Sequence, residues 1–182
     1  MIPTPPESAD WNVADAGYLT MMIAHHRQAL DLADLAETRA EDRQVLAIAR
    51  SIDRGQSREI IAMVAWLVRH DLPEPMLADL EAVSAMPDMP DMPDMPNMSD
   101  MTGMAGMQGM LSPTQMQALE DADGAAFDEL FLTGMIAHHQ GAIAMADTLV
   151  RTGEDVRVRE MATDVIATQH GEISRLAALL DG

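Results

Sequence analysis

One stretch of this chain is written twice. YLTMMIAHHRQALDLAD at 18–34 matches FLTGMIAHHQGAIAMAD at 131–147, with ten of the seventeen positions identical. The same offset, from 18 to 131, then pairs Glu41–Asp42 with Glu154–Asp155, Gln56 with Gln169 and Glu59–Ile60 with Glu172–Ile173, without a gap. This is a tandem duplication of one unit, roughly fifty residues long. A repeated unit stacks on its neighbour to bury an apolar face it cannot cover alone.

Each unit reads as two long helices. Apolar residues recur every three or four positions at Tyr18, Met22, Ala29, Leu32 and Ala36, with His25 on that seam, and then at Val45, Ile48, Ile52, Met63 and Trp66, with Gln56 and Glu59. The second unit repeats this with Phe131, Met135, Ala142, Met145 and Leu149, and with Val158, Met161, Val165 and Leu176. Asp10, Glu41–Asp42, Asp123 and Glu154–Asp155 suit helix N-termini. Gly153 and Leu72–Pro73 suit helix ends, and Ser112-Pro-Thr-Gln115 spells a capping box for a short lead-in helix. Aromatics are only 3% of the chain, which disfavours sheets. The expected fold is all-α: an antiparallel four-helix bundle of two duplicated hairpins. Its divisions are a tail at 1–9, a hairpin at 10–72, a Pro/Met-rich linker with room for a short helix at 73–111, and a hairpin at 112–182. The two hairpins form one domain.

A net charge of −19 excludes nucleic acid as a partner, since phosphates need Lys and Arg, and it concentrates cations. No apolar run is long enough to span a membrane. The opening MIPTPPESAD shows no secretory leader. With no cysteine, thiolate sites and disulfides are excluded; eighteen methionines are the anomaly of the composition.

The polar residues that interrupt the apolar seams carry the chemistry. With the first turn near residues 40–41, antiparallel register sets His25 opposite Gln56 and Met22 opposite Glu59. The second turn sets His138 opposite Gln169 and Met135 opposite Glu172. Met22 lies three and four residues before His25 and His26, so the three can share a face. A thioether with imidazoles suits Cu(I), and Glu59 or Glu172 can help hold Cu(II) or orient a histidine. The candidate ligands are therefore Met22, His25, His26 and Glu59, with Met135, His138, His139 and Glu172. His70 and His170 have no counterpart in the other unit and read as surface or helix-end residues.

Between the hairpins, methionine occupies every third position: Met86, Met89, Met92, Met95, Met98, Met101, Met104, Met107 and Met110. Pro87, Pro90, Pro93 and Pro96 forbid regular helix there. In polyproline II such methionines line one edge with sulfurs about 9 Å apart, so metal binding requires the tract to bend. These nine are candidate soft-metal ligands, with a tether or an adaptable apolar strip for a partner protein as the plainer reading.

The residues MIAHHRQALDLAD and MIAHHQGAIAMAD, with the Gln-x-x-Glu-Ile pairs at 56–60 and 169–173, resemble the bacterial "domain of unknown function 305" family. The resemblance covers both hairpins. It implies a ferritin-like four-helix bundle in an exported, periplasmic or extracellular protein that binds copper, and by motif match it points to Met22, His25, His26, Met135, His138 and His139. The family's usual spelling has Pro where this chain has Ala24 and Ala137, and the Met-rich tract is not shared. The expected function is non-enzymatic: copper resistance, sequestration or delivery, with Cu(I) favoured, Cu(II) and Ag(I) as further cargo, and a copper-transport or efflux protein as partner. The competing readings are a ferritin-like metal oxidase and a Met-rich interaction module. The oxidase is disfavoured because di-iron bundles use Glu-x-x-His pairs, and this sequence has none.

Overall fold

The computed structural model describes residues 4–73 and 108–181, and among these it contains five helices and no strand. They are α1 (Val13–Arg39), α2 (Arg43–Arg69), α3 (Pro113–Asp121), α4 (Gly124–Thr152) and α5 (Val156–Leu180). The methionine positions Met86 to Met107 lie outside the described residues.

Local chemistry starts and stops each helix. At α1 the cap is Asn12 rather than the expected Asp10: its side chain accepts from the Asp15 N–H while Asp15 accepts from the Asn12 N–H, a reciprocal box. Asp42 and Asp155 cap α2 and α5 through their side chains, whereas Asp123 stands at the N-cap of α4 without such a bond. Ser112 and Gln115 form the predicted box before α3. Helix α2 ends at Arg69, slightly before Leu72–Pro73. Asp71 turns left-handed there (φ 56°), and Leu72 N–H reaches back to the Leu67 carbonyl.

Helix α1 packs on α2 and α4 on α5; the two pairs meet chiefly along α1 and α4, and more lightly between α2 and α5. The core falls into two apolar clusters. One joins the start of α1 (Tyr18, Leu19, Met22) to the far end of α4 (Met145, Ala146, Leu149), with Met63 and Trp66 of α2 and Val158 and Val165 of α5. The other joins the start of α4 (Phe127, Phe131, Met135) to the far end of α1 (Ala29, Leu32, Ala36), with Val45 and Ile52 of α2 and Leu176 of α5. Most members of one cluster are repeat counterparts of a member of the other. Among the seam residues, Met161 is only partly buried.

Two buried carboxylates tie the pairs together, each at the other pair's turn. Asp15 of α1 accepts from the N–H groups of Glu154 and Asp155, both at 3.1 Å. Asp128 of α4, its repeat counterpart, accepts from Glu41 at 3.3 Å and Asp42 at 2.8 Å. Each turn thus presents backbone donors at a helix start, and the partner pair supplies the charge that satisfies them.

Candidate metal centre

Between the two apolar clusters every long helix places polar residues: His25 and His26 on α1, Gln56 and Glu59 on α2, His138 and His139 on α4, Gln169 and Glu172 on α5. All four histidines are fully buried, and Gln56, Gln169 and Glu172 nearly so. Within each pair the second histidine meets the glutamate. The His26 Nε2–H donates to Glu59 Oε2 at 2.5 Å, and the His139 Nε2–H to Glu172 Oε2 at 2.8 Å. The first histidines meet across the pairs, the His25 and His138 rings lying 3.7 Å apart between centroids and tilted by 38°.

These bonds decide which nitrogens carry lone pairs. A carboxylate or carbonyl oxygen accepts, so a ring whose Nε2 faces one holds its proton there and bares Nδ1. His26 and His139 direct their Nε2–H to the glutamates, and the neutral His25 is in that state because its Nε2–H donates to the Gln108 carbonyl at 3.0 Å. The Nδ1 atoms of all four histidines, and also Nε2 of His138, are buried without a hydrogen-bond partner. Burial pushes the His25 imidazole down to about 3, helped by the charge of His26 and opposed by the Gln108 carbonyl. Burial, followed by the charge of His25, likewise holds His138 well below its ordinary range. These rings are kept as neutral bases, the form that ligates metal. Both side-chain amide atoms of Gln56 and of Gln169 are equally without partners. A layer holding this many unpaired polar groups stabilises the fold poorly, each costing about 1–3 kcal/mol.

A short segment before α3 closes over the His25–His138 contact. Gln28 grips Leu111 at both backbone atoms, accepting from its N–H at 2.8 Å and donating to its carbonyl at 3.0 Å. Gly109 takes φ +81° and presses so close to α4 that a Cβ there would meet the Ala137 carbonyl at 2.5 Å. On α4, a Cβ at Gly141 would lie 1.8 Å from the Gln108 carbonyl oxygen. Positions 28 and 141 are repeat counterparts, so one helix supplies the grip and the other the gap.

Within the first pair the glutamate's hydrogen-bond partner is His26, four positions along α1 from Met22, which register set opposite Glu59. The cause is geometric: side chains tilt toward the N-terminus of their own helix, so on antiparallel helices the tips of Glu59 and His26 lean toward each other. Met22 and Met135, both fully buried, sit in opposite apolar clusters and flank the layer from its two sides. Met110 is half-buried beside Leu111, at a cavity of about 250 Å³ shared with α3 and α4. Among the described residues, the group of His, Asp and Glu whose ligand atoms lie within 4.8 Å of one another is a different one: Asp10, His70 and Asp155. Sequence reasoning missed it because its members come from three separate segments and its histidine has no repeat counterpart to mark it. It also missed Asp15 and Asp128, although the repeat offset pairs them.

Residues 15–180 match the family described as the domain of unknown function 305, DUF305. This chain belongs to that family. It is similar to a DUF305 protein of Streptomyces coelicolor assigned as secreted, at 26% identity over 92% of both chains, with a TM-score of 0.71. It is also similar to CopM, solved in Cu(II)-bound, Cu(I)-bound, Ag-bound and apo forms. Against the Cu(II)-bound form the identity is 28%, over 92% of this chain and 95% of CopM, with a TM-score of 0.68. Protein L153 of Acanthamoeba polyphaga mimivirus is 41% identical over 54 residues, 30% of this chain; the match spans only 36% of that relative's length. Among the described residues no helix of this DUF305 chain is long and apolar enough to cross a membrane.

Proposed function

We propose that this DUF305 protein binds copper outside the cytoplasm and sequesters or delivers it, without catalytic turnover. The observation that carries the reading is the buried layer of four imidazoles whose Nδ1 atoms have no hydrogen-bond partner, two of them, His25 and His138, held neutral by burial. Soft thioethers at Met22 and Met135 border that layer, and imidazole with thioether is a donor set for Cu(I), with Ag(I) as its soft analogue. Glu59 and Glu172 hold the tautomers of His26 and His139, the role that carboxylates play behind metal-bound histidines. The rings of His25 and His138 lie in close tilted contact, so a shared ion requires them to part. The binding of copper and silver by CopM supports the same cargo, and the likeness to a protein assigned as secreted supports the location. A copper-transport or efflux protein is the partner this role implies.

In this reading the two helix pairs, 10–72 and 112–182, are copies of one unit and close into a ferritin-like antiparallel four-helix bundle. The reciprocal Asp15 and Asp128 caps support that. Met86 to Met107 form a second, weaker soft-metal store, because ordering such a tract costs about 1–2 kcal/mol per residue. Metal-free protein titrated with Cu(I) against a chromophoric chelator should retain copper. Replacing Met22, His25, Met135 and His138 should abolish the tight sites. Deleting 86–107, which leaves the segment over His25 in place, should lower capacity only. A chain that cannot compete for Cu(I) at all sinks the proposal.

A further inference from the structure

Away from the histidine layer, a second donor group lies beside the chain's two tryptophans. Asp10, His70 and Asp155 offer ligand atoms within 4.8 Å of one another. They converge from the segment before α1, the C-cap of α2 and the N-cap of α5. His70 is held in place. Its Nδ1–H donates to the Trp66 carbonyl at 2.8 Å, its ring stacks on Trp66 at 3.9 Å between centroids, and Trp11 meets it edge-on at 6.0 Å. With the proton fixed on Nδ1, the lone pair stands on Nε2, and this outer hydrogen bond is the kind that orients metal-bound histidines.

Helix capping engages only one oxygen of one of the two acids. Asn12, not Asp10, caps α1, so Asp10 has no such duty. Asp155 is 6% exposed and commits Oδ1 to the Val158 N–H at 2.9 Å, and a carboxylate has a second oxygen to offer.

We infer that Asp10, His70 and Asp155 form a second metal site, for a borderline divalent cation, Cu(II) or Zn(II). One imidazole with two carboxylates lacks the soft sulfur that Cu(I) and Ag(I) favour, so this site differs in kind from the histidine layer. The net charge of −19 raises the local concentration of such ions. The inference does not rest on the proposed function, because none of the three residues belongs to the layer.

The tryptophans supply the readout. The chain has two, and both lie against His70. Paramagnetic Cu(II) bound there quenches their emission, while Zn(II) fills the site without quenching. Full-length protein should show saturable quenching by Cu(II) that prior Zn(II) blocks. His70→Ala should weaken the quenching midpoint by about tenfold or more. Asp10→Asn, an exposed change outside every helix, should weaken it without disturbing the fold. The double variant His25→Ala/His138→Ala should leave the midpoint where it was. If Asp10→Asn leaves the midpoint unchanged, or if the double variant alone removes the quenching, the ion lies elsewhere and the inference is overturned.

Discussion

The two helix pairs place the same residues at the same stations, yet their leading histidines have unequal surroundings. His25 spends its Nε2 proton on the Gln108 carbonyl; His138, its repeat counterpart, forms no such bond at either ring nitrogen and meets only the nearby backbone of His25. The inequality traces to one segment, 108–111, lying across α1 and α4, and to one pair of positions. Gln28 has the reach to hold the segment's backbone, and Gly141 has no side chain to obstruct it. A single asymmetric strap therefore turns two matching imidazoles into one with a fixed tautomer and one free to choose. Matching stations do not require matching surroundings, and the segment between the two helix pairs is where the difference enters.

The largest test asks whether the pairs are equal where the strap does not touch them. Asp15 accepts from three backbone N–H groups, those of Asn12, Glu154 and Asp155; Asp128 accepts from two. Asp15→Ala should cost about 3 kcal/mol and Asp128→Ala about 2 kcal/mol, since each buried donor left unpaired costs about 1–3 kcal/mol. Denaturant midpoints measure both, and equal losses would show that the turns are held more alike than the bond pattern implies.

Acid should come next. His25 is held at about 3 in the folded chain, against 6.5 as its ordinary value. Its folded value is depressed, so the stability of the neutral ring is whole above about 6.5 and is lost as pH falls toward 3. At pH 5 the loss from His25 is about 2 kcal/mol, at 1.36 kcal/mol per unit, and His138 adds to it in the same direction. Thermal melts of metal-free protein between pH 7 and pH 5 check this; a flat melting temperature would remove the buried-neutral description.

Glycine substitutions sharpen the role of the strap. Gly141 and Gly171 both lie within long helices, where Gly→Ala ordinarily stabilises by about 0.5–1 kcal/mol. Gly171→Ala meets nothing within 4 Å and should gain that amount. Gly141→Ala would drive a Cβ into the Gln108 carbonyl, so it should lose about 1–2 kcal/mol and free His25 Nε2, visible in its ring nitrogen shifts. Two gains of equal size would mean that the strap is not held against α4.

The helices and their buried faces were legible because period-3.6 patterning and the repeat are local, one-dimensional signals. The four histidines were legible for a related reason: polar residues breaking an apolar seam at matching stations stand out. Their partners were not. Counting residues from a turn gives the level of a Cα, while the contact is made by side-chain tips displaced along the axis, so Glu59 found His26 instead of Met22. The tilted contact of His25 with His138 depends on how the pairs face each other, and the repeat carries no information about that. Asp10, His70 and Asp155 meet through three helix ends, and only three-dimensional packing joins them. The strap showed in the sequence only as Met110, the last of the period-three methionines.

The smallest expected effect separates the two His–Glu pairs, which share atoms and bond pattern but not their access to water. The Glu59 side chain is 22% exposed and that of Glu172 is 5% exposed. In Glu59→Ala, water can reach the place of the carboxylate and accept the His26 Nε2–H, so the cost should stay at about 0.5–1 kcal/mol. In Glu172→Ala the His139 Nε2–H loses its acceptor in a closed interior, and the cost should rise to about 2 kcal/mol, the range for a buried unsatisfied donor. The difference of about 1 kcal/mol is readable in urea melts of the two variants at one pH. Losses in the reverse order would mean that solvent enters the layer from the α5 side, and the four histidines would then have to be treated as a wetter site than their burial indicates.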